Sequence, residues 1–314
     1  MARILITGGA GFIGSHIADA ALARGHEVIV VDNLASGRRE NVPAGARFEH
    51  LDIRDGDALA RLFAETRPDA VSHQAAQASV AVSMREPRLD AEVNVVGTIN
   101  VLEACRHHGT SRYVFASTGG AIYGEVPEGV AADESTSPAP MSPYAASKFA
   151  AEGYLGTYRS LGLDATVLRY ANVYGPRQDP HGEAGVVAIF AQRLLRGDGV
   201  RLFGRTRPGD GGCVRDYVYV GDVVRANLAA LDGSLPDRVI NVGTGVGTTT
   251  SELLSQMESG LGVRVAVEQA APREGDLQRS VLHPGRFAAS IGTPRSLTDG
   301  MAQTLDWFRA HAAR

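Results

Sequence analysis

The chain has 314 residues and a net charge of −4, with 44% hydrophobic and 21% charged residues. This composition is that of an ordinary globular protein with one large or two modest domains. The lack of a basic excess argues against partners such as nucleic acid or an anionic membrane, and no apolar run approaches the roughly 18 residues of a membrane span. The two cysteines are too few for a disulfide framework, and no signal peptide precedes the first strand, which predicts a cytoplasmic location.

Strand-like and helix-like segments alternate from the first residues. Strands are predicted at 3–7, 27–32, 46–53, 70–75, 112–117 and 164–170. Helices are predicted at 12–25, 56–66, 94–109 and 142–162. This alternation predicts an α/β fold with a doubly wound parallel sheet, the Rossmann architecture, over residues 1–172.

Beyond residue 172 the pattern loosens, and glycine and proline become denser. Helices are predicted at 185–197, 220–232, 249–260 and 297–313, and a turn-rich loop at 205–212. Residues 173–314 are therefore predicted to form a smaller C-terminal α/β substrate domain, with the chain free to cross back between the two domains.

The stretch ITGGAGFIGSH, residues 6–16, carries Gly8, Gly11 and Gly14 between a predicted strand and a predicted helix. A dinucleotide pyrophosphate requires such a loop, because the backbone must turn tightly and approach phosphate, while the helix start offers free N–H groups. Asp32 ends the second strand, where a carboxylate accepts bonds from ribose hydroxyls and repels a 2′-phosphate. The sequence therefore predicts NAD rather than NADP as cofactor, although the neighbouring Arg38 and Arg39 weaken this preference.

The stretch SPYAASKFA, residues 142–150, places Tyr144 four residues before Lys148 and hence on the same helix face. Such a pair is common on solvated helices. In a dinucleotide fold, however, an ammonium and an oxidised nicotinamide both favour the phenolate, so that the tyrosine can act as a general base. Ser142 is a plausible N-cap, and Pro143 suits the first helical turn.

With these motifs in place, the sequence resembles the extended short-chain dehydrogenase/reductase family. The glycine loop and Asp32 are followed, in the family's order, by LDIRD (51–55), NVVGT (94–98), STGGAIYG (117–124), SPYAASK (142–148) and LRYANVYGP (168–176). The resemblance covers nearly the whole chain and is greatest to NAD-dependent UDP-glucose (galactose) 4-epimerases. It implies epimerisation of a UDP-sugar at C4 and no metal.

The resemblance also implies a set of site residues. Asp52 and Ile53 would contact adenine, and the nicotinamide half would be surrounded by Asn94, Ser117, Tyr144, Lys148 and Tyr170. Further implied cofactor contacts are Phe12, Ile13, Asn33, Ser36, Gly37, Gln74, Ala75 and Ala76. The implied contacts to the UDP-sugar are Thr118, Gly119, Tyr144, Asn172, Val187, Phe203, Arg215, Tyr217, Arg273, Asp276 and Ser280.

One position departs from the family pattern. Most such epimerases have a serine or threonine four residues before the tyrosine of the Tyr–Gly dipeptide, and this chain has Gly119 there. Thr118 is predicted to supply the missing hydroxyl to the sugar, with Ser117 as the other candidate. The alternative is that Thr118 only packs at the strand end.

The choice of reaction depends on two further positions. Related 4,6-dehydratases place an Asp–Glu pair where this chain has Gly120 and Ala121, so dehydration lacks its acid and base here. A UDP-uronate 4-epimerase, a dTDP-sugar-processing enzyme and a non-catalytic NAD-binding regulator remain alternatives.

The family's subunit helices, matching 94–109 and 142–162, imply a homodimer. In related epimerases a large aromatic at the position of Ser280 restricts the pocket to plain hexoses, so N-acetylated sugars are predicted as further substrates here. The alternative is that another side chain fills the space.

Overall fold

The secondary structure is that of a computed structural model, which describes residues 1–180, 185–273 and 275–311. The strands are β1 Arg3–Thr7, β2 Glu27–Asp32, β3 Arg47–His50, β4 Ala70–His73, β5 Arg112–Thr118, β6 Asp164–Tyr170, β7 Asn172–Tyr174, β8 Val200–Phe203, β9 Val214–Tyr219, β10 Val239–Val242, β11 Gly247–Thr249, β12 Val267–Ala270 and β13 Arg279–Ser280. The helices are α1 Phe12–Ala23, α2 Gly56–Thr66, α3 Val80–Arg85, α4 Pro87–Ala91, α5 Thr98–His108, α6 Gly119–Ile122, α7 Pro143–Ser160, α8 Val186–Arg196, α9 Val220–Asp232, α10 Thr250–Leu261, α11 Gly285–Ile291 and α12 Leu297–His311.

The main sheet has seven strands in the order β10-β6-β5-β4-β1-β2-β3. Strand β1 pairs in parallel with β2 and with β4, and parallel pairing continues from β2 to β3 and from β4 to β5. The direction of winding therefore reverses next to β1, and the glycine loop follows the carboxyl end of that strand. Ligands of open α/β sheets bind at such switch points. The predicted doubly wound α/β architecture is confirmed.

The hydrophobic core of the sheet explains why these segments are strands and helices. Leu5, Ile29, Val71 and Phe115 from four neighbouring strands are fully buried, together with Phe63 of α2. Central strands of a parallel sheet are covered on both faces, so they need continuous apolar runs rather than alternating ones. The rigid strands formed in this way hold the loops that follow their carboxyl ends.

The chain forms two compact units, and neither is one continuous stretch. The first contains 1–118, 140–169 and 224–240, and the second contains 119–139, 170–223 and 241–314. The second unit includes a small sheet in which β9 lies between β11 and β13 and also pairs with β7. The predicted functional division, with NAD bound before residue 172 and the nucleotide sugar after it, stays a prediction.

Several elements differ from the sequence prediction. Helices α3 and α4 were not predicted, because each spans less than two turns and shows no clear apolar period. The first residues of the helix predicted at 94–109 belong to a π-helical segment, Glu92–Gly97, and the α-helix begins only at Thr98. The predicted helix 297–313 is described as far as His311, and its last two residues lie outside the described part. No helix among the described residues is long and apolar enough to cross a membrane.

Candidate active site

The glycine loop has the backbone geometry that a pyrophosphate requires. Gly8 has a φ of 67°, and a Cβ on it would lie 2.6 Å from the amide nitrogen of Ala75. A Cβ on Gly14 would lie 2.2 Å from the Gly8 carbonyl oxygen. Helix α1 begins at Phe12, and its N-cap, Gly11, supplies no side-chain hydrogen bond. The first turn therefore presents backbone N–H groups in a cradle that side chains would fill.

Asp32 fastens the glycine loop to the loop after β2. Its carboxylate accepts hydrogen bonds from the backbone N–H of Ala10 at 3.0 Å and of Leu34 at 2.8 Å. A Cβ on Gly37 would lie 2.7 Å from the Asp32 Oδ1, so the loop can close over the carboxylate only with glycine there. Asp32 is 7% exposed. The acidic residue predicted to bind ribose hydroxyls thus lies beside the pyrophosphate cradle.

The residues predicted to contact adenine follow β3. Asp52 accepts a hydrogen bond from Asn33 Nδ2 at 2.9 Å and pairs with Arg54 at 2.8 Å. The Arg54 hydrogen bond holds the pKa of Asp52 far below its usual value. Ile53 is buried, and its side chain fills the space beside Gly97, while Ser36 is exposed. Their contacts with adenine stay predictions.

A buried histidine connects the glycine loop to the π-helical segment. His73 lies 2.6 Å from the Thr7 hydroxyl and 3.1 Å from the Thr98 hydroxyl. Thr98 donates to the Asn94 carbonyl oxygen, and Thr7 accepts from the Ala75 N–H. Burial and, to a smaller extent, the charge of the nearby Lys148 together lower the pKa of His73 to about 3. His73 is therefore a neutral connector at physiological pH.

The adjoining cofactor candidates lie on the same strand end. Gln74 donates to the Ser72 hydroxyl at 2.9 Å and to Asn227 at 3.0 Å. Ala75 and Ala76 are half-buried, and Ala75 forms one wall of the pyrophosphate cradle at Gly8. Asn227 belongs to α9, which lies in the predicted substrate domain, yet residues 224–240 belong to the first compact unit.

Helix α7 presents Lys148 to the end of β5. The helix starts as predicted, with Pro143 in its first turn and Ser142 accepting a hydrogen bond from the Ala145 N–H at 3.2 Å. Lys148 is 3% exposed, and its ammonium donates to the Ala116 carbonyl oxygen at 2.9 Å. It also lies 4.8 Å from the centroid of the Phe115 ring. Burial lowers the pKa of Lys148 to about 8.

Tyr144 is paired with Thr118, the hydroxyl favoured by the sequence. Burial raises the pKa of the phenol to about 12, and a hydrogen bond between the Thr118 and Tyr144 side chains opposes this rise. Without a further positive charge the phenol is therefore protonated at neutral pH. A bound oxidised nicotinamide would supply such a charge and lower the pKa.

Ser117, the other candidate hydroxyl, is directed elsewhere. Its Oγ donates to Glu152 Oε1 at 2.5 Å. Arg169 binds the same carboxylate through two nitrogens, at 3.0 and 2.6 Å. The side chains of Arg169 and Glu152 are each less than a tenth exposed. Glu152 was not identified from the sequence, although its position four residues after Lys148 places it on the same helix face.

Asn94 forms part of a buried hydrogen-bonded network. Its Nδ2 lies within 3.1 Å of the Gln77 carbonyl oxygen, Asp90 Oδ1 and Ser147 Oγ. Its Oδ1 accepts from the Gln77 N–H at 2.9 Å. Its amide is thus held mainly by the protein. Asp90 and Gln77 were not identified from sequence, and only the position of Asp90 four residues before Asn94 could have pointed to it.

In the second unit, several predicted substrate contacts share one small sheet. Arg215 and Tyr217 lie on β9 two residues apart, and hence on one face. Asn172 on β7 is the register partner of Tyr217, and Ser280 on β13 is the partner of Arg215. The Arg215 guanidinium donates to the Leu277 carbonyl oxygen at 2.6 Å. Tyr217 and Ser280 are buried, whereas Asn172 is exposed.

A second group of predicted contacts lies near the end of β8. The Arg273 guanidinium stacks over the Phe203 ring at 4.0 Å from its centroid, and it lies 3.9 Å from the Asp276 carboxylate. Arg273 and Asp276 are exposed, so both can reach a ligand. The remaining predicted contacts, Gly119, Tyr170 and Val187, are buried. No cluster of three His, Cys, Asp or Glu side chains in the described ranges could hold a metal ion.

Comparison with known proteins identifies the family. Residues 4–243 match the NAD dependent epimerase/dehydratase family. A UDP-glucose 4-epimerase from Mycolicibacterium smegmatis is 46% identical, with 98% of each chain covered. The UDP-glucose 4-epimerase of Thermus thermophilus, solved with NAD, is 57% identical with a TM-score of 0.94, covering 98% of this chain and 99% of that one. The UDP-glucose 4-epimerase of Thermotoga maritima, solved with UDP-glucose, is 47% identical with a TM-score of 0.91 and the same coverage. The chain therefore belongs to the NAD dependent epimerase/dehydratase family, which confirms the resemblance.

Proposed function

We propose that this protein is an NAD-dependent UDP-hexose 4-epimerase that interconverts UDP-glucose and UDP-galactose. The observation that carries the proposal is the arrangement of Tyr144, Thr118 and Lys148 around the end of β5. Gly120 and Ala121, which follow it, provide no carboxylate for chemistry at C5 or C6. The relatives described above carry the same activity in their names.

The first unit holds the cofactor in this proposal. The glycine loop would bind the pyrophosphate, Asp32 would accept bonds from the adenosine ribose, and Lys148 would face the nicotinamide ribose. A bound NAD would supply the hydride acceptor for C4 of the sugar and the hydride donor for its return to either face. The free backbone N–H groups at the start of α1 and the carboxylate of Asp32 fit this group.

Tyr144 is the proposed general base and acid. Its phenolate removes the proton of the sugar 4-hydroxyl, and the phenol later returns it to the 4-oxygen. Thr118 donates to the Tyr144 phenolic oxygen and so stabilises the phenolate. Lys148 adds a fixed positive charge to the site. All three side chains are held by α7 and β5, which limits their motion during the reaction.

The second unit supplies the proposed groups for the uridine diphosphate. Arginine suits a diphosphate because its planar guanidinium remains charged and binds two oxygens at once. Arg215 and Arg273 are assigned this role, with Asp276 accepting from the ribose or uracil. Phe203, beneath the Arg273 guanidinium, offers an aromatic surface.

A cytoplasmic homodimer completes the proposal. Val96, Phe149 and Tyr154 are 48%, 41% and 43% exposed and lie on the π-helical segment and α7. These two elements contact each other, and exposed large apolar side chains on adjacent helices favour an interface. Both cysteines, Cys105 and Cys213, are free thiols, as is usual in a reducing compartment.

The direct test is incubation of the purified protein with UDP-galactose and separation of the products by chromatography. UDP-glucose should appear until equilibrium is reached, and the Tyr144→Phe variant should form it at least about 100-fold more slowly. UDP-glucuronate and dTDP-glucose, assayed in parallel, test the two enzymatic alternatives. NAD binding without any turnover would support a regulatory protein instead.

A further inference from the structure

Asp90, on α4, is a buried carboxylate outside the proposed reaction. It is 1% exposed, and its Oδ1 accepts hydrogen bonds from Gln77 Nε2 at 2.8 Å and Asn94 Nδ2 at 3.0 Å. Its Oδ2 has no hydrogen-bond partner within the described ranges. Two amide donors therefore hold one oxygen of this buried carboxylate, and the other oxygen is left without a donor among the described residues.

Lys148 is a buried positive charge that has no ion-pair partner within the described ranges, and it is also the only lysine in the chain. Glu152 also raises the pKa of Lys148, but less than Asp90 does, and its carboxylate forms a two-point ion pair with Arg169. In the described part of the chain, no carboxylate lies within 4.0 Å of the Lys148 ammonium. A buried charge without compensation is strongly unfavourable, so a charge further away must offset it.

Asp90 is also connected to α7 through hydrogen bonds. Asn94 Nδ2, which donates to Asp90, also donates to Ser147 Oγ at 3.1 Å. Ser147 Oγ in turn donates to the Tyr144 carbonyl oxygen at 3.0 Å. The negative charge of Asp90 raises the pKa of Lys148 and so opposes the larger, lowering effect of burial. It also raises the pKa of Tyr144, in the same direction as the larger effect of burial.

We propose that Asp90 is a positioning residue whose carboxylate keeps the Lys148 ammonium charged and, through Asn94 and Ser147, fixes the first turn of α7. The inference rests on the proposed function for its catalytic consequence only. Asp90 and Lys148 act through a low-dielectric interior rather than by contact, so that the ammonium remains free to donate to the end of β5 and to a ligand.

Other charged or titratable groups on the elements around α7 are less able to play this role. Arg85, Glu86 and Arg88 are exposed, and Glu92 pairs with Arg88 at 2.8 Å. On α5, Glu103 pairs with Arg106 and His107. His108 on α5 is half-buried. Tyr113 on β5 is uncharged because burial raises its pKa, and His73 on β4 is neutral because burial lowers its pKa. On α7 itself, Arg159 donates to the Ala165 carbonyl oxygen, Tyr154 is exposed, and Tyr158 binds Glu103.

The single lysine makes a direct test possible. Protein labelled with 13C at the lysine ε-carbon gives one lysine resonance, whose shift against pH reports Lys148 alone. The wild-type resonance should titrate near pH 8. Asp90→Asn should lower this midpoint by about one pH unit or more. Glu92→Gln removes a carboxylate two residues away, and it should leave the midpoint unchanged.

Asp90→Glu keeps the charge and should restore most of the wild-type midpoint. An unchanged midpoint in a folded Asp90→Asn protein overturns the inference. If that variant does not fold, Asp90→Ala provides the same measurement, with room for water in place of the carboxylate. Failure of both neutral variants to fold would make Asp90 purely structural and would equally overturn it.

Activity gives an independent readout. Loss of the Asp90 charge lowers the pKa of both Tyr144 and Lys148, so both limbs of the pH–rate profile should move to lower pH in Asp90→Asn. A structural defect would lower the rate without moving them, and this outcome would contradict the inference. If the wild-type protein has no epimerase activity, the proposed function fails, whereas the lysine titration still decides the role of Asp90.

Discussion

Substitution of Thr118 by valine tests which hydroxyl assists Tyr144. Valine keeps the shape of threonine and removes the hydrogen bond that opposes the burial-driven rise in the Tyr144 pKa. A hydrogen bond to a charged group contributes about 1.5–3 kcal/mol. Its loss should lower kcat by roughly 10- to 100-fold and raise the Tyr144 pKa by about one to two units. The acidic limb of the pH–rate profile should therefore move to higher pH.

The assay measures UDP-glucose formed from UDP-galactose between pH 5.5 and 9.5. Ser117→Ala is the matched control, since Ser117 donates to Glu152 rather than to Tyr144. This control should leave the acidic limb in place, whatever it does to the rate. The assignment is refuted if Thr118→Val has the wild-type rate and profile, and a shifted limb in Ser117→Ala would transfer the role to Ser117.

Four further predictions concern the cofactor, the sugar, the assembly and acid stability. Asp32→Ala should reduce the preference for NAD over NADP in calorimetry, and tighter NADP binding by the wild-type protein would contradict the assignment. Ser280→Tyr should suppress turnover of UDP-N-acetylglucosamine and spare UDP-glucose, and a wild-type protein inactive on the N-acetylated sugar would exclude that substrate. Light scattering at micromolar concentration should give the mass of a dimer, weakened by Phe149→Glu, whereas a wild-type monomer would exclude the interface. Because the pKa of His73 falls from 6.5 unfolded to about 3 folded, the unfolded state binds the extra proton first. Unfolding free energy should therefore fall as pH drops from 6.5 towards 3, and urea titrations should show a weaker loss in His73→Gln.

The sequence alone determined six of the seven strands of the main sheet, whereas the edge strand β10 was not predicted. Buried parallel strands must be continuous apolar runs, and helices must separate them, so the order of β and α segments was visible without coordinates. The glycine loop was also predicted from the sequence. At positions 8 and 14 the backbone approaches so closely that only glycine fits. The relation of Tyr144 to Lys148 followed from helix periodicity.

The tertiary structure decided what depends on atoms that are far apart in sequence. Ser117 and Thr118 are neighbours with the same functional group, but successive residues of a strand face opposite sides. Only the packing of α7 on β5 assigns one to Glu152 and the other to Tyr144. Asp90 was hidden because α4 is too short to carry a periodic signal and because its effect on Lys148 acts through space. Local periodicity records which face of an element is buried, whereas the partner buried against that face is set by the fold.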